Sequence, residues 1–133
     1  MTPESVSIKT VIQSSAGRLR LQTFIVTSKA QKPLSEVQQH LEAHMHYIAK
    51  LELSGQLLMA GPLCNEDGAT WNGDGQLVYV VSDIAEALAL AQADPLHISG
   101  SRIYTIRPWI VNVGSMQLSL RFSTRTLNIT GSI

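Results

Sequence analysis

From Val37 to Leu51 apolar positions recur at spacings of four, three, four and three: Val37, Leu41, His44, Ile48 and Leu51. That period describes a helix with one buried stripe, and a stripe this long must lie on a second element. The flanking segments supply it. Upstream, Leu19, Leu21, Thr23 and Ile25 alternate with Arg20, Gln22, Phe24 and Val26, which is the period of a strand. The helix is expected to begin near Ser35, where Ser35 and Gln38 fit a capping box behind Pro33. Gly55 ends it in the left-handed position. Leu57 to Ala60 then reads as a short strand stopped by Gly61-Pro62.

The rest of the chain repeats this alternation. Asn65 to Gly75 holds Asp67-Gly68, Gly73 and Gly75 and is expected to be a loop. In Gln76 to Val81, Leu77, Tyr79 and Val81 point one way while Val78 and Val80 point the other, so both faces need cover. Asp83 with Glu86 predicts a second capping box, and Ile84, Ala87, Leu88 and Ala91 form the inner face of a second helix that Pro95 ends. Arg102 to Ile110 predicts a further strand, and Met116 to Ile129 a terminal hairpin turning near Ser123-Thr124. At the other end the β-branched residues of Val6 to Ile12 suggest a strand, followed by a turn at Ser14 to Gly17.

The core order is strand, helix, strand, strand, helix, strand. That is an α+β, ferredoxin-like βαββαβ core with extra terminal strands. Three regions are expected: an N-terminal extension over 1–18, the core over 19–116 and a C-terminal hairpin extension over 117–133. The two helices cover one sheet face and leave the other bare. Each large apolar side chain there is worth about 1.5–3 kcal/mol when buried. Three remedies present themselves: a two-fold dimer packed sheet to sheet, cover by the terminal strands, or terminal strands that reach onto a partner.

Composition narrows the partners. Charged residues make up 15% of the 133, against a usual share of roughly 25%, which favours a homodimer or higher oligomer. The formal net charge is zero and no Lys- or Arg-rich face is visible, so no nucleic-acid partner is expected. No apolar run approaches the roughly 20 residues of a membrane helix, so no membrane partner is expected either. Cys64 is the single cysteine, which rules out an internal disulfide. It reads as a free loop thiol. Met1-Thr2-Pro3-Glu4-Ser5 lacks a basic start and apolar stretch, and a cytoplasmic location is expected.

His44 sits inside the apolar stripe, between Leu41 and Ile48. Two readings stand side by side: a core histidine with its polar atoms satisfied, or a proton acceptor held in its neutral form by burial. His40 lies one turn earlier on nearly the same face. The pair has the spacing to share an ion, but a third ligand and the glutamate of the zincin pattern are missing, so no metal site is expected. Asp94 precedes Pro95 at the end of the second helix and reads either as a turn residue or, if the helices lie side by side, as a partner for His44. Arg107 reads as an anion binder or a surface charge. Trp71 and Trp109 are candidates to line an apolar pocket, with core packing favoured for Trp109.

Taken in order, His44-Met45-His46-Tyr47-Ile48-Ala49-Lys50-Leu51-Glu52-Leu53-Ser54 running into Gly55-Gln56-Leu57-Leu58-Met59-Ala60-Gly61-Pro62, then Ala91-Gln92-Ala93-Asp94-Pro95 with Gly100, then Ile106-Arg107-Pro108-Trp109, resemble the YCII-related (YciI-like) family. The resemblance covers roughly residues 20 to 116. It implies a dimeric α+β barrel and a His–Asp pair at a pocket, which fall here on His44, eleven residues before Gly55, and on Asp94. One relative removes chloride from a chlorinated hydroxyquinol, and muconolactone isomerases share the wider fold. The expectation that follows is a small cofactor-free enzyme. It would use His44 and Asp94 as catalytic residues for isomerisation or elimination on a small ring compound, with Arg107, His40 and Trp71 as substrate-binding residues. The alternative is a non-catalytic dimeric module that binds a small ligand or a partner protein. A haem-binding barrel fits less well, because aromatic residues make up only 5% of the chain.

Overall fold

The structure, a computed structural model, describes residues 4–129. They fall into two compact units: residues 21–110, and the chain before Leu21 together with the chain after Ile110.

The larger unit begins with β1 (Leu21–Ala30), followed by α2 (Leu34–Leu53), β2 (Leu57–Pro62), β3 (Gly75–Tyr79), α3 (Ile84–Gln92), the single turn α4 (Pro95–Ile98) and β4 (Arg102–Val111). The number α1 belongs to Ile8–Ser14 in the smaller unit. The strands form one sheet in the order β2-β3-β1-β4. β3 runs antiparallel to both neighbours, with Phe24 opposite Tyr79 and Leu57 opposite Tyr79 on its two sides. The Gln31 N–H donates to the Ser101 carbonyl at 2.9 Å, and the Thr23 hydroxyl donates to the Trp109 carbonyl at 2.8 Å. Bonds at these opposite ends require β4 to run antiparallel to β1. This is the ferredoxin-like α+β core.

The core lies on one side of that sheet. Phe24, Val26, Leu77 and Tyr79 from the strands meet Ile48, Leu51, Ala87 and Ala91 from α2 and α3, and Tyr104 and Ile106 of β4 pack at its edge. The stripe read from spacing is buried at Val37, His44, Ile48 and Leu51. Val78 is buried although it points to the opposite face, while Met59, Ile103 and Trp109 remain exposed.

The helix ends explain themselves locally. α2 closes in a Schellman motif: Gly55 has φ +80°, its N–H reaches the Glu52 carbonyl, and the Gln56 N–H reaches the Leu51 carbonyl. Its start differs from expectation. Pro33 takes the N-cap position with no side-chain cap bond, so Ser35 lies inside the first turn and the Ser35–Gln38 box does not form. α3 is capped as its sequence predicts. The Glu86 N–H donates to Asp83, and the Glu86 carboxylate accepts from Ser82 N–H, one residue before the cap.

The smaller unit contains α1 and the antiparallel hairpin β5 (Leu118–Arg121) and β6 (Thr126–Ile129). The expected strand over Val6 to Ile12 is therefore a helix instead. Ser7 is its N-cap and accepts from the Thr10 N–H, a local bond that outweighs the weak strand preference of β-branched residues. The hairpin turns between Arg121 and Thr126 as expected, with Arg125 at φ +52°.

Candidate active site

His44 and Asp94 are fifty residues apart in sequence and touch. His44 Nδ1 lies 2.9 Å from each oxygen of the Asp94 carboxylate. An ionised carboxylate only accepts, so the bond calls for a proton on Nδ1, and in a neutral ring that leaves the lone pair on Nε2. Nε2 has no protein partner among the described residues.

Asp94 is wholly buried. The sequence places it at the C-terminal end of a helix, against the dipole. In the structure it serves a different helix, as N-cap of α4, where its Oδ1 accepts the Leu96 N–H at 2.9 Å and Pro95 occupies the first turn. One short turn thus fixes the carboxylate that fixes the imidazole.

His44 opens onto a cavity of about 270 Å³ between α2 and the sheet. Leu41, Met45 and Ile48 line it from the helix, Ala60 and Pro62 from β2, Leu77 and Gly75 from β3. Asp94 lies behind the histidine, outside the lining. Roughly 150 Å³ of apolar space accepts a benzene, so this volume suits a single substituted ring. Trp71 lines the cavity too, its indole N–H tied to the Asp74 carbonyl at 2.7 Å.

The remaining expected residues lie elsewhere. His40 is half-buried on α2 but does not reach the cavity wall. Arg107 is exposed, out of phase with Tyr104 and Ile106, which pack on the core. It therefore belongs to the sheet face away from the helices. The arginine that does line the cavity is Arg102, 4% exposed, whose Nε–H donates to the Gly73 carbonyl at 2.6 Å. Burial pushes its guanidinium below the usual range, opposed by the charges of Asp94 and Asp74. Strand parity pointed to it, since Arg102 shares the face of Tyr104 and Ile106.

A second buried polar pair adjoins the first. The Ser28 hydroxyl donates to His97 Nε2 at 2.7 Å, while His97 Nδ1–H donates to the Ala91 carbonyl at 2.7 Å. Tyr104 stacks on that ring at 4.4 Å. Burial lowers the His97 pKa from its ordinary 6.5. Tyr79, wholly buried in the core, keeps a hydroxyl with no hydrogen-bond partner, and burial together with Asp94 pushes its pKa up. Among the described residues no group of three or more His, Cys, Asp or Glu side chains converges as a metal site would, and no helix is long and apolar enough to cross a membrane.

A four-stranded antiparallel sheet with α2 and α3 packed on one face defines the class as a ferredoxin-like α+β protein. Residues 22–110 match the YCII-related domain, and the chain belongs to that family. It is 32% identical over 72 residues to the uncharacterized protein YjpA of Bacillus subtilis (strain 168), an alignment covering 54% of this chain and 78% of that one. Among solved structures it is similar to the 5-chloro-2-hydroxyhydroquinone dehydrochlorinase TftG from Burkholderia phenoliruptrix AC1100, in complex with 2,5-dihydroxybenzoquinone. That likeness has a TM-score of 0.50 at 17% identity and covers 65% of this chain and 92% of that one. It is a likeness of fold.

Proposed function

We propose that the protein is a small enzyme that moves a proton on a ring compound held in the cavity, with His44 as the base and Asp94 as its positioning partner. The observation that supports this reading is the Nδ1–carboxylate bond of a histidine that lines the cavity, with Nε2 left without a partner among the described residues. Nε2 takes a proton from a ring carbon or hydroxyl. The electron pair left behind moves into the ring, where it either expels a leaving group or relocates a double bond. In an isomerisation the imidazolium then returns the proton at a second position. A protein of the same fold is a dehydrochlorinase of a hydroxyhydroquinone, which supports elimination as the reaction class. The proposed working form is a homodimer joined through the sheet face that carries Ile103 and Trp109, both exposed.

The test is His44→Asn, whose amide can keep the bond to Asp94 while removing Nε2. Against a panel of halogenated and hydroxylated ring compounds, followed by ultraviolet absorbance, turnover should fall about 10²–10⁴-fold with the fold unchanged. Undiminished turnover in that variant sinks the reading. Ligand binding without any turnover in the parent protein selects the non-catalytic module.

A further inference from the structure

The proton-transfer reading leaves one charged group of the cavity unused. Arg102 lines it and is almost wholly buried. A buried cation is costly unless it is paired. Among the described residues the ion pairs are Lys32–Glu36 and His44–Asp94, so Arg102 has no carboxylate within contact. Of its five N–H donors, Nε–H alone has a protein acceptor among the described residues, the Gly73 carbonyl. The guanidinium is nevertheless held in place. A Cβ on Gly75 would fall 2.5 Å from Nη1 and 3.1 Å from Cζ, so the group lies against bare backbone that only glycine leaves open. Leu77 and Ile48 are among the apolar side chains that line the same cavity.

We propose that Arg102 anchors an anionic oxygen of the ligand, so that the cavity takes a small, largely apolar ring bearing a carboxylate or an ionised hydroxyl. This deepens the reading above and rests on the same cavity being the reaction site. A carboxylate accepts two parallel N–H bonds from a guanidinium, and a phenolate accepts one or two. The anchor also serves the chemistry. As His44 removes a proton, negative charge builds on the ring and its oxygens, beside a cation that Asp94 and Asp74 influence only from beyond contact distance. A neutral ring leaves those donors unpaired, which gives selectivity against it.

The probes are benzoate, its neutral isostere benzamide, and 4-nitrophenol in its ionised form, each titrated calorimetrically into the full chain. At least one anion should bind about tenfold or more tightly than benzamide. Which of the two wins distinguishes carboxylate from phenolate. Arg102→Gln should erase that preference, and Arg102→Lys should keep part of it. If Arg102→Gln fails to fold, Gly75→Ala, whose methyl displaces the guanidinium, should erase it too. The proposal is overturned if the unmodified chain shows no preference for either anion, binding by none of the three included. It is also overturned if the preference survives loss of the guanidinium. His44→Asn separates the two readings. Turnover that depends on His44 without an anion preference removes the anchor alone, whereas an anion preference with turnover indifferent to His44 removes the proton transfer alone.

Discussion

At the scale of single residues, the site depends on polar groups whose partners are already chosen. His97 illustrates the consequence for pH. Its proton sits on Nδ1 for Ala91, and its Nε2 accepts from Ser28, so a second proton requires the Ser28 hydroxyl to turn from donor to acceptor. Asp94 favours that proton, while Arg102 and His44 oppose it, and burial dominates. The folded pKa lies below 6.5, so between that value and 6.5 the unfolded chain binds more protons. The stability contributed by neutral His97 is therefore complete above about pH 6.5 and is lost as pH falls through the window beneath it. Urea midpoints measured near pH 7.5 and near pH 5.5, roughly one unit either side of the ordinary value, should drop on acidification. The drop should be smaller in His97→Gln. Residue identities were legible where a pattern constrained them. His44 stood out because a polar ring interrupted an apolar stripe, and Asp94 because family order placed it. Arg107 drew attention through its neighbours Pro108 and Trp109, while Arg102, one face over, carried the position that parity assigns to the interior.

At the scale of elements, caps and turns decide where each side chain ends up. The Gly55 cap is a clean case, because a Cβ there would meet nothing within 4 Å. Any loss in Gly55→Ala therefore comes from the left-handed backbone alone. Urea unfolding should show a destabilisation of about 1–2 kcal/mol with the denaturant slope unchanged. The two long strands and both long helices were readable from their periods. The failures have local causes. Val6 to Ile12 is rich in strand formers, yet Ser7 offers a cap three residues before Thr10. Pro33 occupies the cap position that Ser35 was assigned. The bulge between Leu57 and Met59, which turns Ala60 and Pro62 toward the cavity, leaves no mark in composition.

At the scale of the whole molecule, the larger unit packs α2 and α3 on one face of its sheet and none of its own helices on the other. On the latter Ile103 is 54% exposed and Trp109 41%. If the homodimer forms there, Ile103→Lys places a charge from each protomer in the apolar interface. Light scattering should then report the mass of one chain in place of two, with the circular dichroism spectrum retained. An unchanged mass would move the interface elsewhere. The ferredoxin-like order was visible from the alternation of periods, whereas the cavity was not, because it exists only once α2 rests on the sheet. The bond between His44 and Asp94 has a corollary for how the protein comes into being. It closes a loop of fifty residues that contains the second half of α2, two strands and a helix. Closure of so long a segment carries a chain-entropy cost that only the completed tertiary structure offsets. The pair is thus assembled late in folding, and a partly folded chain, however helical, lacks it.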